Sequence, residues 1–222
     1  MFNRLLAYYR RFGSTPKRHV PSSPELPELW SKDGLQPRLE VLTGADTSVL
    51  TAICDDYWGS FLVAQDVSII RHPDVHHRAL EILTTRKNEA VTWACQRLKH
   101  ENYEAREDAA SLIAQLARKG ALLDDEQVVA KELRILAVTP PREDSKEAQA
   151  ATAALIALSI IGGTECMAAV RHVITSADWD DDDNQWECAE ILANHTNESF
   201  MDSEDPVAAA KEWLQEHPIS EC

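Results

Sequence analysis

The chain has 222 residues, 44% of them apolar and 27% charged, which suffices for one ordinary domain with a buried core and argues against wholesale disorder. With 7 glycines against 29 alanines it reads as mainly helical, because in a helix Ala loses the least backbone freedom and Gly the most. The net charge of −15 argues against a nucleic-acid binder held by phosphate contacts, and no apolar run reaches the roughly 18 to 20 residues of a transmembrane segment.

Residues 1–18 differ from the rest. Arg4, Arg10, Arg11, Lys17 and Arg18 stand there without an acid, so the following 204 residues hold 17 bases and 37 acids, a net of −20. Phe2, Leu5, Leu6, Tyr9 and Phe12 fall at helical spacing, which predicts a basic amphipathic helix over 2–12. Such an arm suits peripheral membrane contact, organelle targeting, docking on the acidic body, or packing as a terminal helix. Residues 19–37 carry Pro21, Pro24, Pro27 and Pro37 and read as an extended linker, since each proline removes a donor and restricts its predecessor.

From 38 to 222 the pattern is helical, with candidates at 46–56, 58–70, 74–86, 88–99, 104–119, 124–138, 145–161, 164–176, 184–195 and 205–216. Asp46, Asp124 and Ser145 stand where N-caps should, Asp205-Pro206 puts proline at a first helical position, and Gly120 and Gly162-Gly163 stand where helices should end. The segment 58–70 is the least distinct helix, because its β-branched and aromatic residues would also suit a strand.

An internal repeat runs through this region. Glu104–Ala114 reads EAREDAASLIA and Glu147–Ala157 reads EAQAATAALIA, identical at six of eleven positions. Looser copies are NQWECAEILA from Asn184 and VHHRALEIL from Val75, with Ala79, Ala109, Thr152 and Cys188 as equivalent positions. A helix pair cannot bury its apolar face alone, whereas stacked pairs bury a continuous core. Pro73-Asp74-Val75 leading to Ala79-Leu80, Ala105-Arg106 with Ala109-Ala110, and Asp183 with Cys188-Ala189 resemble the HEAT-repeat family over roughly 70–195. The resemblance implies an all-α solenoid of about four to five antiparallel helix pairs, working as a protein-binding scaffold. Arg106 has no counterpart at His76, Gln149 or Gln185. HEAT-like repeats also occur in phycobilin lyases and DNA-alkylation glycosylases, which keeps an enzyme of either kind as the alternative. An irregular helical bundle is the competing architecture.

Several patterns that could carry chemistry fail on inspection. Five cysteines at 54, 95, 166, 188 and 222 include no CxxC pair; four of them lie in helical patterns, as small hydrophobes in a reducing, cytoplasmic setting. His72 and His76 lie four apart, but Pro73 separates them and no third ligand is suggested. Cys166 and His172, six apart, would not share a helix face. Counted from Asp178 as a calcium loop, position 6 is Asp183 where glycine is needed and position 12 is Ala189 where glutamate is needed. No phosphate-binding glycine loop or nucleophile elbow occurs, so no catalytic residue, metal ligand or cofactor is expected. For a DNA-binding face, Arg97, Lys99, Lys131, Arg134 and Arg171 are offset by Glu89, Asp125, Glu126, Glu132 and Glu165.

What remains is acid. Between Arg171 and Lys211 there is no Lys or Arg and there are eleven acids. Asp178, Asp180, Asp181, Asp182, Asp183, Glu187 and Glu190, together with Trp179 and Trp186, form the candidate partner-binding residues; the tryptophans equally suit packing between repeats. Such a field attracts a partner with a basic patch. The expected function is therefore a non-enzymatic interaction scaffold, one specific form being a bacterial immunity-type antidote.

Overall fold

Local capping decides where these helices begin and end. The computed structural model describes residues 39–59, 73–122, 126–140, 145–179 and 182–217. The basic arm, the proline-rich linker, most of the 58–70 segment and Asp124 lie outside them. Among the described residues there are nine α-helices, two 3-10 helices and no strand. The chain divides into two compact units between Leu83 and Thr84.

In the first unit a 3-10 turn, Leu39–Gly44, precedes α1 (Thr47–Gly59), and α2 (Pro73–Leu83) packs on both. Asp46 stands directly before α1, where its backbone carbonyl accepts from the N–H groups of Val49 and Leu50. The break expected near residue 57 is absent. Nothing between Asp55 and Gly59 is a helix breaker, so α1 runs on through Tyr57 and Trp58. Leu50, Ile53, Cys54, Val75, Ala79 and Leu83 are buried, each at 1% exposure or less.

The second unit holds α3 (Asn88–Arg97), α4 (Tyr103–Arg118), α5 (Glu126–Ala137), α6 (Ser145–Ile161), α7 (Gly163–Thr175), α8 (Asp182–Thr196) and α9 (Pro206–Glu216), with a 3-10 turn at Phe200–Asp202. Asn102 caps α4, its side chain accepting from the Glu104 N–H at 2.8 Å. The other end of α4 closes in a Schellman motif. Gly120, at φ 66°, lets Ala121 N–H reach Leu116 O (2.9 Å) while its own N–H reaches Ala117 O (2.8 Å). Asp205 caps α9 by accepting from Ala208 N–H at 2.9 Å, with Pro206 at the first turn. Gly162 and Gly163, both at positive φ, reverse the chain between α6 and α7.

Packing follows a regular scheme. Each of α3 to α8 touches the next helix or the next but one: α3 lies on α4, α4 and α5 on α6, α5 on α7, α6 on α7 and α8, and α9 on both α7 and α8. At its centre α6 carries apolar residues around nearly its whole circumference, and Ala150, Ala151, Ala154, Leu155, Ala157 and Leu158 are all buried. Ala109 and Ala110 of α4 are fully buried, whereas their sequence equivalents Thr152 and Ala153 are half-buried. The alanine repeat and the burial pattern thus part at α6, because a helix surrounded by four others buries a different and wider arc.

Five of the polar links span similar sequence distances. Lys99–Glu132 (2.7 Å), Arg106–Glu147 (3.5 Å), Arg134–Glu165 (2.9 Å), Thr152–Asn184 (2.5 Å) and Lys119–Thr84 (2.6 Å) join residues from 31 to 41 apart. That is one repeat length.

Candidate functional site

Four of the nine residues proposed for partner binding come together on α8. Asp183, Trp186, Glu187 and Glu190 fall at i, i+3, i+4 and i+7, which places them on one helical face. Asp183 is exposed, Trp186 is 46% exposed, and Glu187 and Glu190 are half-buried. Burial, and then the neighbouring Glu190 charge, push the Glu187 carboxyl above the usual glutamate range. No lysine or arginine on α8 offsets these acids.

The preceding loop separates the remaining residues. Gln185, itself buried, donates from Nε2 to Trp179 O (3.1 Å) and lies within 3.4 Å of Val173 O, pinning the loop to the ends of α7 and α8. Trp179 is consequently a core residue at 3% exposure, while Asp178 beside it is exposed, its N–H donating to Ser176 Oγ. Of the two roles that the sequence allows the tryptophans, Trp179 takes packing and Trp186 the surface. Asp180 and Asp181 lie outside the described residues, and Asp182 opens α8.

A second acidic group lies on α4. Glu104 accepts from Tyr103 Oη at 3.2 Å, and Glu107 is raised above the usual range by burial and then by Asp108 and Glu104. The basic residues of the other helices are largely engaged. Lys99 and Arg134 pair with Glu132 and Glu165, two of the acids that the sequence set against them, and Arg97 lies over the Trp93 ring at 5.6 Å.

The histidines do not converge. His76 is buried and stacked on Tyr57 with ring centroids 4.1 Å apart, His77 is exposed, and His72 lies outside the described residues. The cysteine–histidine contact that does form was not visible as a motif. Cys166 Sγ on α7 lies 3.6 Å from His195 Nε2 on α8, 29 residues away. Burial pushes the Cys166 thiol up to about 11, and Cys188 is raised further by burial and then by Cys166 and Glu187. At neutral pH both are protonated thiols, which are poor nucleophiles and poor metal ligands. Cys54, Cys166 and Cys188 are buried thiols outside any disulfide, in keeping with the reading of cysteine as a small hydrophobe. Among the described residues no group of three His, Cys, Asp or Glu could hold a metal ion.

In a separate part of the second unit, the turn after α3, the C-terminal half of α5 and the first turns of α4 and α6 surround a cavity of about 350 Å3. Leu98, Ile135, Leu136 and Pro140 supply apolar walls, and Lys99, Glu101, Arg106, Glu132 and Glu147 supply charges. Ile135 is 56% exposed, and Val128, two turns earlier on α5, is 63% exposed. The separate spacings of these residues hold no common signal; only their sequence separation of about one repeat could have suggested that they meet. Among the described residues no helix is long and apolar enough to cross a membrane. No family model matches the chain, and neither a curated protein nor a solved structure matches it.

Proposed function

We propose that the protein is a non-enzymatic interaction scaffold, in which the helices of the second unit stack in HEAT-like pairs and α8 presents an acidic face to a basic protein partner. The stacking is supported by next-but-one helix packing and by polar links one repeat apart. The observation that carries the functional reading is the α8 face. A large aromatic side chain, 46% exposed at Trp186, stands among carboxylates, and Glu187 is kept beside Glu190 although its carboxyl is held above the usual range. An exposed tryptophan within a single-sign field fits a binding hot spot with electrostatic steering. A small acidic antidote that covers a basic enzyme is one form of this reading.

The test compares the full chain with a Trp186→Ala, Glu187→Gln, Glu190→Gln variant as immobilised bait. The reading predicts a captured protein with a basic surface, released as salt rises, and lost from the variant while circular dichroism remains helical. Equal retention by both baits, or a partner whose binding ignores salt, overturns it.

A further inference from the structure

The cavity beside α5 has an unfilled capacity of one chemical kind. Its two cations are already engaged. Lys99 Nζ donates to Glu132 Oε1 (2.7 Å), and Arg106 contacts Glu147 (3.5 Å), His100 O (2.9 Å) and Glu101 O (3.3 Å). Two of its three carboxylates, Glu132 and Glu101, are not exhausted by these contacts. Glu132 Oε2 is shielded from water with no hydrogen-bond partner, and Glu101 is exposed at the rim. Shielding an acceptor without a donor is costly, so a group that displaces Lys99 and brings more than one N–H to the Glu132 carboxylate is favoured over the single ammonium. The walls are aliphatic, and Ile135 is left more than half exposed. Donors on a flat head and an aliphatic stem describe one side chain, arginine.

Lys99 is the built-in occupant of the acidic position. Its side chain is 65% exposed against 24% for Glu132, so it sits on the rim and can leave into solvent at little cost. We propose that this cavity receives an arginine side chain of a protein partner, whose guanidinium displaces Lys99 from Glu132 and whose stem packs on Ile135, Leu136 and Pro140. The proposal rests on the reading of a basic partner only for the source of the arginine. Its test needs no partner, so the two stand or fall separately.

The experiment titrates N-acetyl-arginine amide into the 15N-labelled full chain, with N-acetyl-norleucine amide as the uncharged control of similar stem. Saturable amide shifts centred on residues 98–106, 132–140 and 145–147 are expected with the arginine derivative and not with the control. Lys99→Met, which removes the internal competitor, tightens binding several-fold, and Glu132→Gln weakens it about tenfold or more. Ile135→Ser and Glu101→Gln weaken it by smaller factors, and they carry the test should Glu132→Gln lose its dispersed spectrum. Equal response to the two derivatives, no saturable shift with arginine, or weaker binding by Lys99→Met overturns the proposal.

Discussion

Asn184 is fully buried, and its side-chain carbonyl accepts the Thr152 hydroxyl from the facing helix. Asn184→Ala strips that acceptor and leaves a void, so unfolding in urea should show a loss of about 1–3 kcal/mol with an unchanged m-value. Gly120 is a backbone requirement instead. No neighbour crowds its missing side chain, but φ 66° strains any L-residue, and Gly120→Ala should cost about 1 kcal/mol in the same assay. Glu187 makes stability depend on pH. Because its carboxyl is raised in the folded state, that state holds the proton more tightly than the unfolded chain. The favourable contribution is complete below about 4.5 and fades as pH rises through the raised value. Glu187→Gln removes the fade. Its melting temperature should coincide with that of the parent near pH 4 and exceed it at pH 7.

At the scale of elements, the inter-helix ion pairs are unequal. Arg134 is 45% exposed and makes a single ion pair, to the 16%-exposed Glu165, so Arg134→Ala should cost about 1 kcal/mol. Arg106 is 18% exposed and also ties down the α3–α4 turn through His100 O and Glu101 O, so Arg106→Ala should cost about 1–3 kcal/mol by chemical denaturation. Helix positions were legible in the sequence to within a few residues, because caps such as Asp205-Pro206 and stops such as Gly120 act locally. The four acidic-face residues of α8 were legible for the same reason, since a helical period puts 183, 186, 187 and 190 together. What meets what across helices was not. Cys166 and His172 do not share a face of their own helix, and the histidine that does reach Cys166, His195, arrives from the next one; Arg106, whose repeat equivalents are not arginines, meets Glu147 from a helix 41 residues on. Burial of Trp179 depends on Gln185, a contact that no periodicity encodes.

For the whole molecule, the excess of acid has two consequences with opposite salt dependence. Self-repulsion among carboxylates is screened by added ions, so the melting temperature should rise between low salt and about 0.5 M NaCl. Attraction for a basic partner is screened by the same ions, so binding should weaken over that range. If both followed the same sign, the charge would not be acting as described. The central position of α6 bears on motion as well. Four helices rest on it, and most of its alanines admit their backbones closely, so its amides can open to solvent only when the unit as a whole comes apart. In native-state hydrogen exchange the amides of residues 150–158 should be the last to exchange, at the free energy of global unfolding. Those of α9, which packs on α7, α8 and the short turn at Phe200–Asp202, should exchange through smaller openings that leave the rest intact. The order in which the unit frays is thereby set, from the C-terminal helix inward to α6.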